Sequence, residues 1–148
     1  MDKRLIATGN TWETNYPYAG GRPAPWTPVV KVNVTNAYLI MLAGQLAYDD
    51  SGKIVGPNNM KDQAQTTYQN IQKALDAAGA KAGDVIFERV YVRQDLMKDF
   101  MVDGSRARFK FYKDGGVTKL PPFTIVGVSG LSHDEQVLEI EIIAVTEK

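Results

Sequence analysis

Two glutamates in the last apolar run of the chain are the residues whose type and spacing most directly suggest chemistry. In the run Val137–Val145, Glu139 and Glu141 are two positions apart, so a strand projects both carboxylates from one face. Burial of such a charge without a partner is costly. One interpretation is therefore a solvated sheet face on which salt bridges hold the glutamates. The other is a pocket in which burial raises the pKa of a carboxyl that acts on water as a general base.

The elements that must position these glutamates follow a strand–helix–strand–helix–strand pattern. Apolar positions at helical spacing predict a helix over Met60–Ala78, with Asn58 or Asn59 as its cap and Gly79 as its stop. A second, poorer helix is predicted over Leu96–Tyr112, where Gly104 weakens it. Strands are predicted at Val29–Val34, Ala37–Tyr48, Val85–Val92, Phe123–Ser129 and Val137–Val145.

This pattern predicts an α+β fold in which one mixed sheet carries two helices on one face. The sequence shows no internal repeat and no linker, so residues 1–148 are expected to form a single domain. Its N-terminal part, residues 1–28, is rich in proline, glycine and aromatic side chains, and we expect it to pack on that domain. The sheet face without helices has too much apolar surface for a small monomer, so oligomerisation is predicted.

The composition removes several classes of function. The 148 residues include no cysteine and one histidine, His133, which excludes thiol nucleophiles, disulfides and multi-histidine metal sites. Seventeen basic and seventeen acidic side chains balance, so no strong general attraction to nucleic acid or anionic lipid is predicted. The first residues lack a signal-peptide core and no apolar run could span a bilayer, so a cytoplasmic protein is expected. His133 is predicted to lie in an exposed turn.

Six short motifs, taken in their order along the chain, resemble one known family. They are Ala43-Gly-Gln45, Asn70…Leu75…Gly79, Gly83-Asp-Val85, Asp99-Phe100, Pro121-Pro-Phe-Thr124 and Leu138–Val145. Two of these motifs, Ala-Gly-Gln at the end of a strand and the final strand itself, are fairly specific for the family when they occur together. Over roughly residues 29–148 the chain is similar to the reactive intermediate deaminase family, also called the Rid or YjgF family.

The resemblance implies a chorismate mutase-like fold assembled as a homotrimer, with small-molecule sites in clefts between subunits and no metal or organic cofactor. Typical members hydrolyse enamines and imines to 2-keto acids and ammonia. By position, Glu139 matches the glutamate that orients water, Gly44 the strand glycine, and Thr124 the residue after the substrate-binding arginine. Tyr16 or Tyr18 matches a tyrosine that completes the pocket.

Phe123 is the main departure from the family, because it occupies the position of the arginine that binds the substrate carboxylate. Loss of a bidentate arginine costs about 1.5–3 kcal/mol of carboxylate binding, and phenylalanine disfavours a charge beside it. One reading is a pocket for a larger, more apolar molecule, lined by Phe123 and by Trp12, Tyr16, Tyr18 or Trp26. In the other, a different arginine supplies the charge. The candidates are Arg22, Arg106 and Arg108, each otherwise expected to be a solvated surface residue.

The sequence therefore predicts an enzyme of the deaminase or hydrolase type that acts on an enamine, an imine or a related metabolite. The alternative is a non-catalytic protein that binds a small molecule on the same trimeric scaffold. RNA cleavage and translation inhibition, with which the resembled family has also been associated, are disfavoured by the zero net charge. No membrane or nucleic-acid partner is expected.

Overall fold

Six strands make one sheet in the computed structural model, which describes residues 3–6 and 29–148. They are β1 (Lys3–Ile6), β2 (Val29–Val34), β3 (Ala37–Gln45), β4 (Val85–Arg93), β5 (Phe123–Val128) and β6 (Leu138–Glu147). Their order across the sheet is β1-β2-β3-β6-β4-β5. Every neighbouring pair is antiparallel except β4 and β5, which are parallel, so the predicted mixed sheet is confirmed.

The first helix, α1, runs over Met60–Ala78, the range that its apolar spacing predicts. Its start is capped by Asn59, whose side-chain oxygen accepts a hydrogen bond from the backbone N–H of Asp62 at 3.0 Å. It ends at Gly79, which adopts the left-handed conformation with a φ of 71°. The buried face of α1 packs over the sheet and closes the main core between the two layers.

The second helical segment is interrupted, as the glycine within it predicts. A 3-10 turn (Gln94–Leu96) and an α turn (Met97–Asp99) lead to a π-helical turn (Phe100–Gly104), and a regular helix, α2 (Ser105–Asp114), follows. A Cβ atom at Gly104 would lie 2.7 Å from Phe100 Cε2. The absent side chain therefore leaves room for the buried Phe100 ring. This segment is the crossover that two parallel neighbours, β4 and β5, require.

Both helices cover the same face of the sheet, so the two-layer prediction is confirmed for the described residues. The side chains of β6 alternate strictly: those from Leu138 to Ala144 at even positions are buried against the helices. The odd positions face away from the helices, and Ile143 and Val145 there lie opposite Met41 and Leu39 of β3. This helix-free face is partly apolar, and Met41 on it is exposed.

Several strand ends differ from the sequence prediction by one or two residues, and β3 and β1 differ more. Strand β3 ends at Gln45 rather than at Tyr48, and Gln45, opposite Ile140, is its last residue paired with β6. Strand β1 was not predicted, since four residues are too few to show an alternating pattern. Within residues 3–6 and 29–148, no helix is both long and apolar enough to cross a membrane.

Candidate active site

Gly44 and Glu139 lie in direct proximity on the helix-free face of the sheet. The β3–β6 pairing passes from Leu42–Ile142 to Gln45–Ile140, so β3 has one extra residue at this point. A Cβ atom built on Gly44 would lie 2.6 Å from Glu139 Cδ, and closer still to Oε1. The Glu139 side chain therefore lies across the backbone of Gly44, in space that only glycine leaves open.

The Glu139 carboxyl is partly buried, and this changes its acidity. Burial raises the pKa of Glu139 above its ordinary value, and the charge of Glu141 raises it further. A carboxyl with a raised pKa exchanges protons closer to neutral pH, which suits a general base that acts on water. The raised pKa of Glu139 is one feature that the pocket interpretation of the sequence requires, and its role as a general base stays a prediction.

Glu141 has the other environment that the sequence analysis considered, a solvated ion pair. Its Oε2 accepts a hydrogen bond from Arg89 Nη1 at 2.9 Å and a long one from the Tyr91 hydroxyl at 3.3 Å. The side chains of Arg89 and Glu141 are 43% and 40% exposed. The register explains this grouping, because Arg89 lies opposite Glu141, and Tyr91 lies opposite Glu139. Two identical residue types in one strand therefore have different neighbours.

Arg89 and Tyr91 are candidate site residues that the sequence analysis missed. Alternation in β4 places both on one face, but the sequence does not say against which strand or in which register β4 pairs. Polar residues at every second position of β4, namely Arg89, Tyr91 and Arg93, were the signal that could have drawn attention to this face.

Thr124 and Phe123, the two predicted site residues at the start of β5, lie on opposite faces of the sheet. Thr124 pairs with Arg89 and so shares the face of Glu139. Phe123 pairs with Glu88 on the helix side, and its ring centroid is 4.0 Å from the Arg108 Cζ atom. Within one chain, the structure thus groups Gly44, Glu139 and Thr124 on one face and separates Phe123 from them.

Arg108 is buried rather than solvated, so the expectation of a surface residue is wrong for it. Its Nε donates to Glu88 Oε2 at 2.6 Å, and its Nη2 donates to the carbonyl oxygen of Pro121 at 3.0 Å. The reason is Glu88, a fully buried carboxylate that requires a charged partner. Arg106 agrees with its prediction: its side chain is 72% exposed and pairs with Asp103 at 3.0 Å.

Two tyrosines complete the surroundings of the Glu88 carboxylate. The Tyr68 hydroxyl donates to Oε1 at 2.5 Å, and the Tyr112 hydroxyl donates to Oε2 at 3.2 Å. Burial raises the pKa of both tyrosines, and the negative charge of Glu88 adds to the effect. This polar cluster joins α1, α2 and β4 inside the core, on the side of the sheet away from Glu139.

Several residues of the sequence prediction have no described position, and one differs from its prediction. Trp12, Tyr16, Tyr18, Arg22 and Trp26 fall outside the residues that the structure describes. His133 is in the turn before β6, as predicted, but it is partly buried rather than exposed.

A groove of about 560 Å³ runs between α1 and α2, on the side of the sheet opposite Glu139. Tyr68 and Phe111 line it, with stacked rings whose centroids are 5.2 Å apart. It includes neither Gly44 nor Glu139, so the groove and the candidate active site are separate features of the molecule.

A mixed sheet with two helices on one face, and a partly buried glutamate against a strand glycine on the other, defines a class of small α+β proteins. The sequence profile described as endoribonuclease L-PSP matches residues 20–146. The chain therefore belongs to this family, also known as the YjgF or Rid family, and the resemblance seen in the sequence is confirmed.

Individual relatives agree with this assignment. A protein from Dermatophagoides farinae, named 2-iminobutanoate/2-iminopropanoate deaminase, is 28% identical over 129 residues, which cover 80% of this chain and 87% of that protein. The crystal structure of the Escherichia coli YjgF gene product is 27% identical, with a TM-score of 0.67 over 82% of this chain and 88% of its own. Yeast Mmf1 is 20% identical, with a TM-score of 0.74, and shares the fold over 99% of this chain and 100% of its own.

Proposed function

We propose that this protein is a small-molecule hydrolase of the deaminase type, which converts an enamine or imine to a carbonyl compound and ammonia. The observation that carries the proposal is the position of the partly buried Glu139 carboxyl across Gly44, with its pKa raised by burial. The family membership and the deaminase name of the D. farinae relative support the same reaction class.

The proposed chemistry needs one water molecule and one carboxylate. Ionised Glu139 accepts a proton from water as the water oxygen attacks the carbon of the C=N bond, and it passes this proton to the nitrogen to give a neutral carbinolamine. Glu139 then takes the hydroxyl proton of the carbinolamine and delivers it to the nitrogen, so the C–N bond breaks and ammonia leaves as the C=O bond forms. The sum is imine plus water giving ketone plus ammonia. A carboxyl that serves as base and then as acid works best with a pKa raised toward neutrality.

We further propose that the protein acts as a homotrimer with its sites in clefts between subunits. Two features support this. The helix-free face carries apolar side chains such as Leu39, Met41 and Ile143, which favour burial against another copy. Phe123 and Glu139 lie on opposite faces of one chain, so a pocket that both line requires the second residue to come from a neighbouring subunit.

Phe123 favours a substrate with a larger, more apolar side chain than the smallest 2-imino acids have. Its ring is 41% exposed and offers apolar surface to a ligand. Its guanidinium neighbour, Arg108, already donates to Glu88 and Pro121 and is only slightly exposed.

The direct test is hydrolysis of imines that an amino-acid oxidase generates in situ, measured as the fall in free imine above the uncatalysed rate. We expect wild-type protein to accelerate hydrolysis and Glu139→Gln to abolish the acceleration. Glu147→Gln, on an exposed residue of the same strand, is the matched control and should retain full activity. Light scattering on each variant reports whether the trimer forms. Equal activity of Glu139→Gln and wild type contradicts the proposal.

Phe123 also favours a second candidate function, a non-catalytic small-molecule-binding protein. An apolar residue at the position of the carboxylate-binding arginine fits a scaffold that retains its cleft without its reaction. Wild-type protein that binds the 2-keto acid but accelerates no imine hydrolysis would favour this alternative. RNA cleavage has less support, because seventeen basic and seventeen acidic side chains give no net attraction to phosphates.

A further inference from the structure

The face that carries Glu139 also carries two arginines from β4, Arg89 and Arg93, which alternation places beside Tyr91. The two differ in how far their donors are used. Arg93 donates to Asp95 (2.8 and 3.1 Å), to Asn58 Oδ1 (2.7 Å) and to the Asp134 carbonyl oxygen (2.6 Å). These bonds use Nε and both Nη atoms of Arg93. Its guanidinium therefore has a structural role, in which it connects neighbouring loops.

Arg89 has fewer partners, which are Glu141 and the neighbouring Tyr91. Its Nη1 donates to Glu141 Oε2 at 2.9 Å, and both side chains of this pair are about two-fifths exposed. Water screens an ion pair of this kind, so the pair contributes little stability. A guanidinium has five N–H donors, which leaves capacity for a second, bidentate carboxylate. The Phe87 ring, 5.4 Å from the Arg89 Cζ atom, supports the guanidinium from one side.

The position of Arg89 relative to Glu139 suits one kind of ligand. Arg89 lies opposite Glu141, and Glu139 is two residues further along β6 on the same face, which makes it a diagonal neighbour. Diagonal pairs across antiparallel strands are about 7–8 Å apart at their Cα atoms. At this spacing, a ligand that presents its reacting carbon to the Glu139 carboxyl can place an anionic group on that carbon within reach of the flexible Arg89 side chain.

We propose that Arg89 is the anion-binding residue of this site and that it receives the carboxylate of a 2-imino acid in exchange for Glu141. This inference rests on the proposed function for the nature of the reacting carbon. It assigns a substrate-binding role to a residue outside the sequence motifs, and it has the apolar side chain of the substrate extend away from Arg89. Glu141 then competes with the substrate for the same guanidinium.

Equilibrium binding tests this without any need for turnover. Phenylpyruvate is the anionic probe, and phenylacetone, which has a methyl group in place of the carboxylate, is the uncharged one. By titration calorimetry on the full chain, we expect Arg89→Gln to weaken phenylpyruvate binding about ten- to a hundredfold, the range typical for hydrogen bonds to a charged group. Phenylacetone binding should not change. Arg106→Gln, which removes an exposed arginine on the helix side, is the matched control and should bind both probes as wild type does.

Glu141→Gln provides a result of opposite sign. Removal of the competing carboxylate should tighten phenylpyruvate binding several-fold, which loss of structure would not produce. Arg89→Lys should retain part of the affinity, because it keeps the charge but loses the bidentate geometry. If Arg89→Gln binds phenylpyruvate as wild type does, or if wild type does not bind it at all, the inference is wrong.

The experiments distinguish a failure of this inference from a failure of the proposed function. Imine hydrolysis that depends on Glu139 but is unaffected by Arg89→Gln, with unchanged phenylpyruvate binding, overturns the role of Arg89 alone. If phenylpyruvate binding depends on Arg89 but the protein hydrolyses no imine, the proposed enzymatic function is wrong and the proposed anion-binding role of Arg89 is retained. In an active protein, Arg89→Gln should raise the KM for the 2-imino acid and leave kcat nearly unchanged.

Discussion

Arg108 Nε lies 2.6 Å from Glu88 Oε2 in the interior between the helices and the sheet, where both side chains are almost fully buried. This pair connects the loop before β5 to the core, because Arg108 also donates to the Pro121 carbonyl oxygen. A charge in this position is tolerated only because its partner and two tyrosine hydroxyls surround it.

Removal of one partner from the Arg108–Glu88 pair should therefore destabilise the protein strongly. We expect Arg108→Ala to lower the free energy of unfolding by about 3–5 kcal/mol, the usual cost of an unpaired buried charge. Urea denaturation followed by circular dichroism measures this. Arg106→Ala, on the same helix but exposed, should change it by less than about 1 kcal/mol. In the double variant Glu88→Gln/Arg108→Met the loss should be smaller than for Arg108→Ala, and an equal loss would argue against the charge explanation.

Gly44→Ala should reduce activity much more than stability. The new methyl group would occupy the space of the Glu139 carboxyl, which is the end of a flexible side chain and can turn away. We expect imine hydrolysis to fall about a hundredfold, as displaced catalytic groups typically cause. The melting temperature should change little, because alanine also restricts the unfolded chain.

Gly130→Ala is the control for Gly44→Ala, since a Cβ atom at Gly130 meets nothing within 4 Å. Imine hydrolysis that is unchanged in Gly44→Ala would show that the position of Glu139 against Gly44 is not needed for activity.

The raised pKa of Glu139 predicts a pH dependence of stability with a definite sign. The folded protein holds this proton to a higher pH than the unfolded chain does, so the unfolded state ionises first and stability falls as the pH rises above about 4.3, the ordinary glutamate pKa. Glu139→Gln should remove this part of the dependence. Relative to wild type it should therefore gain stability at pH 7, and the difference should vanish at pH 4 or below, in urea titrations at several pH values.

Glu141 should control the acid limb of the activity profile. Its charge raises the pKa of Glu139, so Glu141→Gln should lower that pKa and shift the acid limb of kcat to lower pH. A carbon-13 NMR titration of the Glu139 carboxyl measures the same change directly. Glu147→Gln, at the exposed end of β6, should leave both curves in place. An unchanged acid limb in Glu141→Gln would mean that the two carboxylates do not interact.

Phe123→Arg should change the choice of substrate. The variant adds a carboxylate-binding group and removes an apolar ring, so we expect the ratio of activity on 2-iminobutanoate to activity on an aromatic imine to rise at least about tenfold. Phe123→Leu, which keeps an apolar side chain, should leave this ratio near its wild-type value. The new guanidinium would also lie near Arg108, so a lower melting temperature is expected for the arginine variant.

The sequence by itself determined much of the fold, because the information is local. The apolar spacing, the cap at Asn59 and the stop at Gly79 are properties of neighbouring residues, and α1 has the predicted bounds. Alternation alone showed that Glu139 and Glu141 share a face of β6. The family motifs brought Gly44 to attention, and the structure shows it against Glu139.

Only the tertiary structure decided which charges meet. Arg89 forms an ion pair with Glu141, and Arg108 forms one with Glu88, although the partners are far apart in the chain. A shift of one residue in the register of β4 would turn Arg89 to the core and Glu88 to the open face. Local pattern does not determine that register. It is set by the free energy of burying the whole apolar face of the sheet under the two helices, which is a property of the complete fold.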